Sequence, residues 1–359
     1  MKKIQVYFSS KKRTYPIFIG KGILRDINRL FSLGKYSKIV VVTDENVKKI
    51  LSKTILNYLP NDTSVITIPS GERAKTIKCV GEIWRKLLQI GTDRKSFIVN
   101  IGGGVVLDVS AFAASTYMRG VDYLNIPTTV LSQVDASIGG KTGIDFSGIK
   151  NLIGTFNQPI GVIIDVQTLS SLPKREFLSG FAEIIKHGLI KDRKYFEKVT
   201  SKHPLEFNQD TLIDIIERSC KIKAEIVEAD EIENGPRKLL NFGHTIGHAI
   251  ESLSLESSTP LLHGEAISIG MLAGAKISHL MDLLSLSDLQ RIKQSLINAG
   301  LPISTESIEI NKVLEKIKSD KKNEKGKVNF TLLQEIGKAV YNQNVPDEVI
   351  IQAIKYVIK

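Results

Sequence analysis

Residues 97–108 read FIVNIGGGVVLD, and this stretch decides the fold. The run 97–101 is apolar without a clean alternation, which suits a strand buried on both faces, the habit of a parallel sheet covered by helices. Gly102-Gly103-Gly104 ends it, and residues 105–117 carry helical spacing. A strand that runs through glycines into a helix start points backbone N–H groups, and the positive end of the helix dipole, at an anion. The spacing is not Gly-x-Gly-x-x-Gly, and a plain tight turn uses three glycines equally well, so the junction alone only suggests a phosphate. Asp108 is expected on the first turn of the helix.

The same alternation extends on both sides. Strands are predicted at 38–43 (KIVVVT), 64–68 (SVITI), 123–126 (YLNI) and 162–165 (VIID), with helices at 46–59 and 74–90. Beyond Leu172-Pro173 the strand signals fade, and helical periodicity covers 181–189, 211–231, 244–253, 265–283 and 286–298. The predicted fold class is α/β: an N-terminal Rossmann-like nucleotide-binding domain, residues 1–172, and a mostly α-helical C-terminal domain, residues 173–359. Ala266, Gly270, Ala273, Gly274 and Ala275 give one predicted helix a small-residue surface, as close packing against another helix requires.

Composition narrows the function classes. A length of 359 residues is more than one core usually serves, and 42% hydrophobic with 24% charged residues makes a folded chain the expectation. Forty-nine Lys and Arg against 38 Asp and Glu give a net charge of +11, which invites a nucleic-acid reading. Only 12 of those cations are Arg, the residue that base and phosphate readers favour, and aromatics are 6%, so a Lys-rich solvated surface is expected instead. Two distant cysteines, Cys79 and Cys220, leave no disulfide scaffold or Cys-based zinc site. No run approaches the ~18–20 apolar residues of a membrane span, and MKKIQVYF is not a presequence, so a soluble cytoplasmic protein is expected.

Several groups can carry chemistry. Asp44, directly after a strand, is placed either to accept ribose hydroxyls or to cap a helix. Ile138-Gly139-Gly140-Lys141-Thr142-Gly143 imitates a P-loop, but Asp135 stands where its first glycine belongs, and the segment before it (129–136) looks helical where a strand is required. A flexible loop remains, carrying Lys141, with Lys150 and Asn151 soon after. The six histidines all lie in the second half, and His244, His248 and His263 fall within twenty residues. His244 and His248 share a helix face, one turn apart. With Glu183 as a carboxylate donor they outline a catalytic zinc site that keeps an open position. HTIGH lacks the glutamate of the metalloprotease motif, and either both histidines bind metal or one of them acts as a base. Lys186, Lys223, Arg237 and the run Asp320-Lys321-Lys322 add positive charge suited to a substrate bearing phosphate and carboxylate.

Taken together the motifs resemble one family in order and over nearly the whole chain. They are Thr43-Asp44-Glu45-Asn46, Ser70-Gly71-Glu72 with Lys75, Gly103-Gly104-Val105 with Asp108, Pro127-Thr128-Thr129 through Gln133-Val134-Asp135, and Gly139-Gly140-Lys141-Thr142-Gly143. Ala182-Glu183 with Lys186, Leu240-Asn241-Phe242-Gly243-His244-Thr245 with Gly247-His248, and His263-Gly264-Glu265 complete the set. The chain resembles the 3-dehydroquinate synthases. The resemblance implies NAD⁺ bound by Asp44, Asn46, Gly71, Glu72, Lys75, Gly103, Gly104, Val105, Asp108, Thr128, Thr129, Leu131, Lys141, Lys150, Thr168, Leu169, Ser170 and Ser171. It implies Zn²⁺, replaceable by Co²⁺, on Glu183, His244 and His263, with His248 left to handle a proton. Substrate contacts are implied for Lys141, Asn151, Lys186, Lys223, Arg237, Asn241 and one of Lys321 or Lys322, with Asp135 at the sugar hydroxyls. Arg119 is implied to reach the phosphate site of a second subunit in a homodimer. Two positions depart from the family's habit: Ile149 stands where glycine is common, and Asp145 where asparagine is frequent.

The activity so implied turns a small phosphorylated sugar acid, 3-deoxy-D-arabino-heptulosonate 7-phosphate, into 3-dehydroquinate and phosphate, with NAD⁺ restored in each turnover. The competing readings are a related sugar phosphate cyclase, a metal-dependent polyol dehydrogenase, and a basic nucleic-acid binder. A dehydrogenase needs no such cluster of cations and accumulates NADH, and the chain shows no nucleic-acid motif. Neither a nucleic-acid nor a membrane partner is expected.

Overall fold

The computed structural model describes residues 1–8, 13–51, 55–255, 257–306, 308–319 and 328–359; Lys321 and Lys322 lie outside them. The chain divides into two compact units, Met1–Leu172 with Gln209–Ala224, and Pro173–Asn208 with Glu225–Lys359.

The first unit runs β1 (Lys2–Phe8), β2 (Arg13–Gly20), α1 (Ile27–Phe31), β3 (Ile39–Asp44), α2 (Glu45–Leu51), β4 (Ser64–Ile68), α3 (Ile77–Ile90), β5 (Phe97–Gly102), α4 (Gly104–Thr116), β6 (Asp122–Pro127), β7 (Lys141–Phe146), β8 (Ile149–Phe156) and β9 (Gly161–Asp165). Seven strands form one sheet in the order β1-β2-β9-β6-β5-β3-β4. All its pairs are parallel except the β1–β2 edge. Every residue of β3, β5 and β9 is buried. Alternate side chains explain it: Val40, Val42 and Ile98 pack with Val80, Ile83 and Val109 on one face, and Val41, Val99 and Ile101 with Ile27 and Phe31 on the other. Each such side chain contributes ~1.5–3 kcal/mol of burial.

Strand order places the ligand end of this sheet. From β3 the chain steps to β4 on one side and then to β5 on the other, so the order reverses between β3 and β5. In open α/β sheets the crevice at the carboxyl ends of such a pair is where ligands bind. Asp44 closes β3, and Gly102-Gly103-Gly104 closes β5.

Three local readings need correction. Residues 72–74 form a 3₁₀ turn and α3 starts only after Thr76, whose Oγ1 accepts the Cys79 N–H at 3.2 Å, an N-cap that the helical spacing alone does not reveal. Asp108 falls on the second turn of α4, since the helix begins at Gly104. Lys141, expected on a flexible loop, opens the antiparallel hairpin β7–β8. Its glycines concealed the strands: Gly143 and Gly154 face each other across the pair, and a Cβ on Gly154 would lie 2.1 Å from the Thr142 carbonyl oxygen. The segment before Lys141 is a single π-helical turn, Ser132–Ala136.

The second unit holds α5 (Lys174–Lys191), α6 (Arg193–Val199), the end of α7 (Gln209–Ala229), α8 (His244–Ser254), α9 (His263–Leu280), α10 (Leu286–Asn298), α11 (Ile310–Ser319), the hairpin β10 (Asn329–Glu335) and β11 (Lys338–Asn344), and α12 (Asp347–Val357). The first part of α7 is counted with the sheet unit, where Cys220 Sγ donates to the Gln133 carbonyl and Lys223 meets Asp135. The small-residue surface of α9 serves helix packing. A Cβ on Gly270 would lie 2.0 Å from the Gly243 carbonyl and 2.7 Å from the Gly247 amide, so α8 and α9 meet backbone to backbone. Among the described residues no helix is long and apolar enough to cross a membrane.

Candidate active site

At the sheet's switch point, Gly103 is the N-cap of α4 and no side chain caps the helix. A Cβ on Gly103 would come within 3.3 Å of Thr129 Cγ2, so the glycine keeps this cradle open beside exposed backbone donors. Thr128 donates its N–H to the Gly102 carbonyl at 3.0 Å, and Thr129 Oγ1 sits 2.8 Å from Ser132 Oγ, which ties the β6 loop to the glycine run. Asp44 does cap α2: its Oδ1 accepts the N–H groups of Asn46 and Val47 at 2.8 and 2.9 Å. Lys75 is buried and its Nζ lies 2.7 Å from Asp108 Oδ2; burial acts to lower its pKa, but Asp108 and Glu72 hold it above the ordinary value.

Other positions named for NAD⁺ fall into two kinds. Gly71 has φ 84 at the turn that carries Glu72, and Lys150 Nζ lies 3.8 Å from Glu72 Oε1. The hydroxyls of Thr168, Ser170 and Ser171 instead donate to carbonyls three residues back, and Leu169 is core. Leu131 and Val105 are half-buried. Lys223 Nζ meets both the carbonyl and the Oδ1 of Asp135 at 2.5 Å. Asn151 takes φ 53 and donates its N–H to Asp145 Oδ1 at 2.8 Å, so the unusual aspartate shapes the turn that presents it. Arg119 is exposed after α4, in a turn where Met118, Arg119 and Gly120 all have positive φ.

The second unit gathers the histidines. Gly243, at φ 81, turns the chain so that His244 opens α8, and His263 opens α9. The three imidazoles of His244, His248 and His263 each place a nitrogen within 4.8 Å of the others. Glu183, fully buried on α5, faces them: its Oε1 lies 3.9 Å from His244 Nε2 and 3.7 Å from His263 Nε2. These are spans that one ion ~2.0–2.2 Å from each donor can bridge. Gly264 brings the helices to this distance, since a Cβ there would lie 1.7 Å from the Ser179 carbonyl, one turn before Glu183.

The opposite ring nitrogens are already committed. His244 Nδ1 lies 3.2 Å from the Phe242 carbonyl and His263 Nδ1 lies 3.2 Å from Glu251 Oε2. A carbonyl and a carboxylate only accept, so each Nδ1 carries the hydrogen, which leaves Nε2 of each ring facing Glu183 to take up a cation. Two ring nitrogens and a carboxylate oxygen that face one another need a cation among them, either a proton or a metal ion. In the metal-free protein that cation is a proton on His263: burial lowers its pKa, yet Glu183 and Glu251 raise it to about 9. The donor set therefore fits a divalent metal ion. Buried Lys186 pairs with the other Glu183 oxygen, which supplies part of the charge balance.

Arg237 and Asn241 follow a tight loop. Asp230 accepts N–H groups from Asn234 (3.1 Å), Gly235 (2.7 Å) and Arg237 (3.1 Å). Arg237 is buried and its Nη1 donates to the Glu231 carbonyl, while Asn241 Nδ2 donates to Glu233 Oε1 at 2.8 Å. Sequence reasoning missed Asp230 and Glu251. The latter had a signal, because it stands seven residues after His244 on the same helix face.

A parallel α/β unit with a glycine-lined switch point, in one chain with a helical unit that gathers three imidazoles and a buried carboxylate, fits the class of the sugar phosphate cyclases. Two family profiles divide the chain, "3-dehydroquinate synthase N-terminal" over residues 65–179 and "3-dehydroquinate synthase C-terminal" over residues 180–323. The chain belongs to the 3-dehydroquinate synthase family. A 3-dehydroquinate synthase of Thermodesulfovibrio yellowstonii is 43% identical over 355 residues, covering 97% of this chain and 98% of its relative. Among solved structures, 2-deoxy-scyllo-inosose synthase complexed with carbaglucose-6-phosphate, NAD⁺ and Co²⁺ is 25% identical with a TM-score of 0.89, covering 98% and 99% of the two chains. The 2-epi-5-epi-valiolone synthase of Streptomyces hygroscopicus, with NAD⁺ and Zn²⁺ bound, is 26% identical with a TM-score of 0.84, covering 96% of each.

Proposed function

We propose that this chain is a cytoplasmic 3-dehydroquinate synthase, a carbon–oxygen lyase acting on a phosphate ester, which converts 3-deoxy-D-arabino-heptulosonate 7-phosphate to 3-dehydroquinate and phosphate on the route to aromatic amino acids. The observation that carries this reading is the match to that family along nearly the whole chain, together with a Glu183–His244–His263 cluster whose ring nitrogens converge on one carboxylate. The two cyclases of similar fold that hold NAD⁺ with Co²⁺ or Zn²⁺ support the same pair of cofactors here.

Glu183, His244 and His263 hold the metal, Zn²⁺ by preference. Asp44, Glu72, Lys75, Asp108 and the Gly103-Gly104 helix start, with Thr128 and Thr129, bind NAD⁺. When bound, NAD⁺ supplies a hydride acceptor and the divalent ion supplies Lewis acidity at a substrate hydroxyl. His248, one turn from His244, takes the proton of that hydroxyl on a ring nitrogen. Lys186, Lys223, Arg237, Asn241, Lys141 and Asn151 bind the anionic ends of the substrate, and Asp135, held by Lys223, orients sugar hydroxyls. Most of the protein's task is therefore orientation, with one proton-handling imidazole.

One assay tests it. Protein stripped with a chelator, then given the heptulosonate phosphate, catalytic NAD⁺ and Zn²⁺ or Co²⁺, is expected to release phosphate and form dehydroquinate without lasting NADH. Turnover that metal does not restore would overturn the metal site, and steady NADH accumulation would make the protein a dehydrogenase.

A further inference from the structure

The histidine cluster contains a carboxylate to which no role has been given. Glu251 is buried on α8, and its Oε2 lies 3.2 Å from Nδ1 of His263, the first residue of α9. His244, His248 and Glu251 follow at intervals of four and three on one helix, so a single face of α8 carries two imidazoles and this carboxylate. The glycine contacts that bring α8 against α9 let Glu251 reach across: Gly247 itself has the Ala266 carbonyl 3.0 Å from where its Cβ would stand. His263 is held from its backbone side as well. Glu265 Oε2 accepts the Leu262 N–H at 2.8 Å, and Arg175 grips both Glu265 oxygens at 2.7 Å and the Pro260 carbonyl at 2.8 Å.

We infer that Glu251 is the positioning residue of the metal site: it accepts the Nδ1 hydrogen of His263 and so fixes both the tautomer and the ring orientation that present Nε2 toward Glu183. Its charge polarises the N–H bond and makes Nε2 a stronger donor, which is how a carboxylate behind a ligating histidine acts on metal affinity. Glu251 touches neither substrate nor cofactor. The geometry separates it from a plain core ion pair, because the other nitrogen of the same ring is the one that faces Glu183 at 3.7 Å.

The inference rests on the ligand set proposed above, and the test keeps the two apart. The metal-free protein is titrated with Co²⁺, reading the d–d absorption band, and with Zn²⁺ against a chromogenic chelator. Wild type is expected to bind one ion, and His244→Ala to lose it; equal binding by these two would remove the ligand set itself. With that arm in place, Glu251→Ala is expected to bind roughly 10–100-fold more weakly, the usual loss when such a partner is removed. Glu251→Gln, which keeps an acceptor but not the charge, is expected to recover part of that loss and to shift the Co²⁺ band. Should Glu251→Ala not fold, the Gln variant decides alone. Wild-type affinity and an unchanged band in Glu251→Gln, or in a folded Glu251→Ala, would overturn the role of Glu251.

Discussion

His248 and His263 both belong to the imidazole cluster, but their surroundings differ. His263 is fixed from one side by Glu251 and faces Glu183 with the other nitrogen, as His244 does; the ring centroid of His248 lies 4.9 Å from that of His244 and 5.7 Å from that of His263. The proposed roles make His263 a metal ligand and His248 the base. His263→Ala is expected to leave the protein without stoichiometric metal, while His248→Ala keeps the metal and loses ~10²–10⁴-fold in turnover. Atomic absorption on both purified variants checks the split, and equal metal contents would contradict it. At this scale much was legible in the sequence: the i, i+4 histidine pair and the glutamate near Lys186 read as candidate metal ligands, and the structure brings them close together. Glu251 was not read, because the partner it serves sits on a different helix and only packing brings the two together.

The elements show where pattern reading succeeds and stops. Strands β3, β5 and β9 were legible because burial on both faces demands an unbroken apolar run. The hairpin β7–β8 was not, since its glycines serve a close cross-strand approach, and β11 has only half-buried and exposed positions in no regular period. The loop after α7 is a similar case, since its shape depends on one carboxylate. Burial acts to raise Asp230, but the N–H groups of Gly235, Arg237 and Asn234 outweigh it and hold the carboxyl below its ordinary value. A depressed folded value adds stability that is complete above the unfolded pKa, ~3.9, and disappears as the pH falls through the lower folded one. Asp230→Ala is accordingly expected to lose about 1–2 kcal/mol at pH 7. In urea titrations its deficit from wild type should shrink below pH 4, and a deficit that stays constant with pH would argue against this account.

For the molecule as a whole, the charge of +11 has a bounded meaning. Lys75, Lys186, Lys223 and Arg237 are buried and hydrogen-bonded or ion-paired, which suits the roles proposed for them, while the exposed lysines form a solvated surface. Assembly is the other question at this scale. Arg119, exposed in its positive-φ turn, is proposed to bind the substrate phosphate of a second subunit in a homodimer. Light scattering is expected to return twice 39.8 kDa. Arg119→Ala should raise KM for the phosphorylated substrate ~10-fold or more and leave metal content unchanged. A monomeric wild type, or an unaltered KM, would remove this role.

By itself the sequence determined the α/β layer, the helical second half, the family and the residue types of the histidine cluster, because these depend on periodicity and on short motifs within single elements. Only the tertiary structure decided which strands adjoin at the switch point, that Asp44 spends one oxygen on a helix cap, that Lys141 stands on a hairpin, and which carboxylate stands behind His263. Those features depend on contacts between residues distant in the chain, such as Gly264 on Ser179 and Gly270 on Gly243, where the absence of a side chain sets how closely two backbones meet.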